Sequence, residues 1–187
     1  MELTFDVLVT LVGVASLGLA AWSARGHFSS DKVPLGSIVI GVVILLTIGF
    51  YFYLVWAHRQ PVLPQLLGFA VMIAAIGLFF LTIRASRTAR LRMAFDEGNP
   101  RGLVRAGPYR YVRHPFYVSY IIFFSAFAVA TWSLIAIGPV VLLVVIYVLA
   151  ARMEERLFAS TDMAGDYEAY RQRTGFFFPR LSNGSNA

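Results

Sequence analysis

Residues 116–151, FYVSYIIFFSAFAVATWSLIAIGPVVLLVVIYVLAA, run for thirty-six positions without a charge or a histidine. As one α-helix the stretch would be about 54 Å long at ~1.5 Å per residue. A bilayer core is about 30 Å thick. The run is too long for one crossing and about right for two. Thr131-Trp132-Ser133 is the expected turn, and a tryptophan there suits the interfacial aromatic belt. Gly138-Pro139 should start or kink the second arm, because proline is tolerated only near a helix start. The segment predicts a helical hairpin within a membrane.

The flanking sequence extends that reading. Val7 to Ala24 carries no charge or histidine and reads as a first span. Val33 to Ala57 reads as a second and Pro61 to Ile83 as a third, with Pro61 and Pro64 at its start. Glu2 and Asp6 precede the first span where a signal peptide would carry basic residues, so it reads as an anchor. Of the 187 residues, 58% are hydrophobic and 14% charged. Soluble domains average about 45–50% and about 25%. Much of this surface must therefore face something other than water, and mean hydropathy is +0.70. The fold class expected is an all-α integral membrane protein of about five transmembrane helices. Residues 1–60 form an N-terminal helix pair and 61–187 a core with the hairpin and a tail.

The net charge of +6 comes almost wholly from arginine, since Lys32 is the only lysine. With this hydropathy a basic balance points to membrane lipids and not to nucleic acid. Arg25 and Lys32 follow the first span, Arg59 the second, and eight arginines from Arg84 to Arg113 the third. The hairpin turn has none, and the tail from Arg152 has five. The positive-inside rule then puts the 84–115 segment and the tail in the cytoplasm and the N-terminus outside. Chain without cysteine forms no disulfide, thiolate metal site or cysteine nucleophile. His27, His58 and His114 are too scattered to suggest a metal site. The helix pattern of the third span should run on from Arg84 to Asn99, ending at Gly98-Asn99-Pro100. A short helix is expected around Asp166 to Gln172, with Tyr167 and Tyr170 on one face. Arg173-Thr174-Gly175 should break it, Phe176 to Pro179 should dip back towards the membrane, and Ser182 to Ala187 should be disordered.

Chemistry concentrates at the two ends of the hairpin. Before it stands Gly107-Pro108-Tyr109-Arg110-Tyr111-Val112-Arg113-His114-Pro115-Phe116-Tyr117, and after it Glu154-Glu155. Folding the hairpin back brings the two clusters together where membrane meets water. Pro115 favours a helix start near His114, leaving free N–H groups and the positive end of a dipole for an anionic group. Two carboxylates near a helix carboxyl end are disfavoured by the dipole and by each other, and a cation would ease them. Such a pocket fits a zwitterionic or sulfonium-bearing ligand.

The ordered set Leu103-Val104, Gly107-x-Tyr109, Arg113-His114-Pro115-Phe116-Tyr117, Glu154-Glu155, Tyr167, Tyr170 and Phe177-Phe178-Pro179 resembles the isoprenylcysteine carboxyl methyltransferase and phospholipid methyltransferase family. The resemblance covers about residues 66 to 181. It implies an integral membrane enzyme that uses S-adenosylmethionine. It implies that Leu103, Val104, Gly107 and Tyr109 line the adenosine pocket and that His114, Pro115, Phe116 and Tyr117 wrap the methionine part. Glu154 would contact the cofactor, with Arg113 holding the acceptor or the cofactor carboxylate. In the isoprenylcysteine enzymes an arginine four residues before the first glutamate faces the acceptor. Here that position is Ala150, and Arg152 is the nearest candidate. Glu155, His114 or a tyrosine would serve as base for an amine or hydroxyl acceptor. The acceptor expected is lipidic or a small hydrophobic molecule.

Plainer readings stand beside these. Arg84, Arg87, Arg90 and Arg92 serve as topology signal and headgroup contacts. Glu154 and Glu155 pair with Arg152 and Arg156, as surface ion pairs commonly do. A membrane reductase using NADPH, of the sterol-reductase type, and a non-catalytic membrane ligand-binding protein remain as alternatives.

Overall fold

The computed structural model describes residues 2–26, 32–87, 91, 93–96 and 102–180. Among these residues six α-helices form: α1 (Glu2–Gly26), α2 (Leu35–Ala57), α3 (Val62–Ser86), α4 (Pro115–Ala130), α5 (Ile137–Ala159) and α6 (Ala164–Arg173). Among the described residues there is no β-strand, only an isolated parallel bridge between Val112 and Gly175. Among the described residues four helical stretches are long and apolar enough to cross a membrane: Leu3–Arg25, Leu35–Ala57, Val62–Ser86 and Leu134–Ala159. The fifth, α4, has 16 residues. At ~1.5 Å per residue it is about 24 Å long, short of a full crossing. The protein is an all-α integral membrane protein.

Local chemistry sets the helix boundaries. Pro34 and Pro61 occupy the N-cap positions of α2 and α3 in extended backbone, and Pro115 opens α4. The hairpin turns at Thr131-Trp132. The Thr131 hydroxyl donates to the Ala128 carbonyl at 2.8 Å, and Trp132 takes a positive φ of 49°. A 3-10 turn, Leu134–Ala136, leads into α5, with Pro139 in its first turn where its missing N–H costs nothing.

α3 and α4 lie closest. A Cβ at Gly68 would come within 2.6 Å of the Ala126 carbonyl oxygen and 2.7 Å of the Ala130 Cβ. Small residues let helices approach closely where lipid supplies no hydrophobic drive between them. α2 is tied to the hairpin tip by the buried Tyr51 hydroxyl, which donates to the Ala136 carbonyl at 2.8 Å, and by the Tyr51 ring set edge-on to Phe127. One apolar core thus includes Val9 of α1, Ile48 and Tyr51 of α2, Met72 of α3, Phe127 of α4 and Leu143 of α5.

The expected extension of the third helix to Asn99 is corrected: α3 ends at Ser86. Residues 93–96 instead turn back onto the start of α2. The Ser37 hydroxyl donates to the Ala94 carbonyl at 2.6 Å. Phe95 takes a φ of 60° and covers Gly36, where a Cβ would lie 2.5 Å from the ring. A straight helix into water would have left Phe95 without that apolar contact. The short helix after α5 runs over Ala164–Arg173 and buries Tyr167 and Tyr170 on one face. His27 and residues 182–187 lie outside the described residues.

Candidate functional site

The helix ends that carry the arginines converge on one polar cluster. His114, the N-cap of α4, is buried between the two glutamates of α5: Nδ1 lies 3.4 Å from Glu154 Oε2, and Nε2 lies 3.3 Å from Glu155 Oε1. Arg113 Nε donates to Glu155 Oε1 at 2.6 Å, and the Tyr117 hydroxyl donates to Glu154 Oε1. Proline at 115 makes this possible. It starts α4 immediately after His114, so residues 113, 114 and 117 all face α5. Arg152 and Arg156 do not take the glutamates; Arg152 is exposed. The plain surface-pair reading is therefore corrected, because two partly buried carboxylates gain more from buried cationic partners than from arginines in solvent.

The tail fastens the cluster from the other side. Arg113 Nη1 donates to the Thr174 carbonyl at 2.6 Å; the Arg113 N–H donates to the Gly175 carbonyl at 2.8 Å, and the Gly175 N–H donates to the Tyr111 carbonyl at 3.1 Å. Position 175 admits only glycine, since a Cβ there would lie 1.5 Å from the Phe178 carbonyl oxygen. Phe176 meets the His114 ring edge-on at 5.1 Å and lies under the Arg113 guanidinium at 5.6 Å. The Tyr170 hydroxyl donates to the Tyr109 carbonyl at 2.7 Å. Phe176 and Phe177 do turn inward, while Phe178 is exposed.

Charge and burial set the protonation states. Burial pulls His114 towards neutrality, but the hydrogen bonds and charges of Glu154 and Glu155 outweigh it and raise its pKa above the ordinary value. Burial holds the Tyr109 hydroxyl well above the usual phenol range despite a hydrogen bond with Ser86. Burial likewise pushes Tyr170 up to about 12. Both phenols stay neutral at physiological pH.

The cluster opens on a cavity of about 700 Å³. Leu103, Val104, Tyr109, Arg113, His114, Pro115, Phe116, Tyr117 and Glu154 line it, as do Tyr167 and Tyr170. Gly107 does not. It takes a φ of +55° where a Cβ would meet Ala85 at 2.8 Å, and so makes the turn that presents Tyr109. Glu155 stands behind the wall, holding Arg113 and His114, and Arg152 lies outside it. The sequence reading missed three parts of this wall. Tyr147 of α5 stacks on Tyr117, and Tyr120 of α4 packs tilted against Tyr147. The Tyr147 hydroxyl is buried without a hydrogen-bond partner. A tyrosine inside an otherwise apolar span was the available signal. The third part comes from α1 and α2, including Leu17, Ala20, Ile40, Gly41 and Ile44.

Comparison with known families places this architecture. The model of the phospholipid methyltransferase family matches residues 63–161, over half of the chain. The chain belongs to the phospholipid methyltransferase family. The matched region runs from the start of α3 to just past α5, so it holds Arg113, His114, Tyr117 and both glutamates. Membership makes the protein a membrane methyltransferase. The α1–α2 pair and α6 with the tail lie outside the match. No curated protein and no solved structure matches the chain. Among the described residues no group of side chains suits a metal ion.

Proposed function

We propose that the protein transfers a methyl group from S-adenosylmethionine to a lipidic or small hydrophobic acceptor at the cytoplasmic face of the membrane. The observation that carries this reading is Glu154, held by His114 and Tyr117, on the wall of a cavity that is otherwise largely apolar. The donor set fits such a cofactor. A carboxylate suits an ammonium or sulfonium cation, and the rings of Tyr109, Tyr117, Tyr120 and Tyr147 suit a cation by their π faces. Leu103, Val104 and Tyr109 would hold the adenosine part, His114 to Tyr117 the methionine part, and Glu154 a cationic group. Bound there, the cofactor supplies a methyl group on a positively charged sulfur.

The residues of the chain supply mainly alignment for in-line displacement, and positioning can contribute about 7–11 kcal/mol. Arg113 and Glu155 fix His114 and the tail, and His114 and the Tyr117 hydroxyl hold the Glu154 side chain in place as an acceptor. A carboxylate acceptor needs no base. The arginine-rich helix ends favour the cytoplasmic side for this site.

The test is calorimetric binding to the purified protein in detergent. S-adenosylmethionine and S-adenosylhomocysteine should bind, and Glu154→Ala should weaken both. Binding of NADPH alone, or of neither cofactor class, overturns the reading.

A further inference from the structure

We propose that the arginine-lined hollow on the tail side of Arg113 binds the phosphate of an anionic phospholipid, which is not methylated there but clamps the tail over the large cavity. The hollow has a volume of about 260 Å³. Arg113, Glu168, Arg171, Gln172, Thr174 and Arg180 line it. Arg113 lines the large cavity as well, so one side chain borders both spaces.

Donors outnumber acceptors in the hollow. Glu168 already accepts from Arg171, at 2.9 Å and 3.4 Å. Arg113 Nη1 takes the Thr174 carbonyl at 2.6 Å and reaches the Arg171 carbonyl at 3.4 Å, and Arg180 takes the Gln172 carbonyl. Arg113 Nη2, and Nε and Nη2 of Arg180, donate to none of the described residues. Glu155 offsets part of the Arg113 charge from behind, yet three arginines against two carboxylates leave an excess of positive charge. Guanidinium groups present forked donors that match a phosphate. Arg113 is already ordered for that role. Its side chain is 11% exposed and is braced by Glu155, the Thr174 carbonyl and the Phe176 ring. Little ordering is left to oppose binding.

Exposed aromatic residues point to the source of the phosphate. Tyr111, two residues before Arg113, is 63% exposed, and Phe178, two before Arg180, is 82% exposed. Exposed aromatic rings collect at the level of lipid headgroups. The apolar helix α4 begins two residues after Arg113, so the hollow stands where bilayer meets water. A headgroup amine would find no free carboxylate there, because Arg171 holds Glu168. An amine-free anionic headgroup fits the charge, and lacking an amine it is no methyl acceptor.

Occupancy would act on the large cavity through the tail. α6 supplies Tyr167 and Tyr170 to the wall of that cavity, and its C-terminal end supplies Arg171 and Gln172 to the hollow. A phosphate held between Arg113 and Arg180 ties the end of the tail to the start of α4. Cofactor and phosphate should then each strengthen the binding of the other by the same factor. Only this coupling rests on the methyltransferase reading.

The experiment follows thermal unfolding of the full chain in neutral detergent. Phosphatidylglycerol, phosphatidylcholine or inorganic phosphate is titrated in at matched ionic strength, and S-adenosylhomocysteine affinity is measured by calorimetry in parallel. Phosphatidylglycerol should raise the melting temperature saturably, and phosphatidylcholine should not. Arg180→Gln should weaken phosphatidylglycerol binding about ten- to a hundredfold, the scale of a lost charged hydrogen bond. It should leave lipid-free unfolding and S-adenosylhomocysteine binding nearly unchanged. Arg105→Gln removes the same charge from an exposed pair with Asp166 and should not alter lipid binding. Equal losses in the two variants, or none in Arg180→Gln, mean diffuse surface attraction and overturn the site. Inorganic phosphate as effective as phosphatidylglycerol overturns the lipid source. S-adenosylhomocysteine affinity should rise severalfold with phosphatidylglycerol, and an unchanged affinity overturns the clamp. Saturable stabilisation by phosphatidylglycerol, lost in Arg180→Gln, without any S-adenosylhomocysteine binding supports the phosphate site and overturns the methyltransferase reading instead.

Discussion

At the arginine-rich end of the cavity, Arg113, His114, Tyr117 and Tyr170 are each fixed by hydrogen bonds to groups far away in sequence. Along the α1–α2 wall, Leu17, Ala20, Ile40, Gly41 and Ile44 offer the cavity apolar surface alone. The first region is specified by charge and direction, where a change of one atom removes a bond. The second is specified by volume alone, where many apolar side chains would serve. Chemistry demands the first kind of construction, and apolar shape demands only the second.

Mutations should expose that contrast, beginning where the charges are most enclosed. Arg113→Met leaves Glu155 without its guanidinium and frees the Thr174 carbonyl. Breaking a buried ion pair costs about 3–5 kcal/mol, so thermal unfolding in detergent should shift strongly downward. Arg113→Lys should recover only part, because one ammonium cannot reproduce the forked donors. Glu154→Ala should weaken S-adenosylhomocysteine binding by about ten- to a hundredfold, as loss of a charged hydrogen-bond partner worth ~1.5–3 kcal/mol implies. An unchanged affinity would remove Glu154 from the cofactor site.

His114 gives a pH dependence with a definite sign. Its pKa is raised in the folded protein by Glu154 and Glu155. Its stabilising contribution is complete below the ordinary imidazole value of about 6.5 and is lost as pH rises through the higher folded value. The melting temperature should fall as pH is raised from about 6.5, and His114→Gln should flatten that slope. A smaller loss is expected for Tyr170→Phe, which deletes the bond to the Tyr109 carbonyl; about 1 kcal/mol by denaturant unfolding is the scale. Least of all, Arg105→Ala should change stability by under ~1 kcal/mol, because its pair with Asp166 is exposed on both sides. A large effect there would mean that the loop before Gly107 is more tightly held than its contacts indicate.

The sequence carried the hairpin plainly, because an uncharged run longer than one bilayer crossing has few other solutions. It also carried His114, Tyr117 and Glu154 as neighbours, since a hairpin must bring its two ends together. Other features had no local signature. Arg152 stands close to Glu155 along the helix, yet the glutamate turns towards Arg113, forty-two residues earlier. Glu155 supports the wall from behind, a distinction that two adjacent glutamates cannot announce. The roles of Ile40, Gly41 and Ile44 were hidden because a cavity wall in a membrane and a lipid-facing surface draw on the same apolar residues. Phe95 folds back by a tertiary contact with Gly36 that outweighs the helical pattern.

The parallel bridge between Val112 and Gly175 also bears on biosynthesis. Arg113 is separated by 42 residues from Glu155 and by 61 from Thr174. At about 5–20 residues per second, an arginine and a histidine leave the ribosome roughly 3–12 s before the last of their partners exists. During that interval both must remain at the interface while the apolar hairpin that follows them enters the bilayer. Their positive charge suits that wait, because a charged side chain avoids the hydrocarbon core and stays among water and headgroups until the tail arrives to cover it.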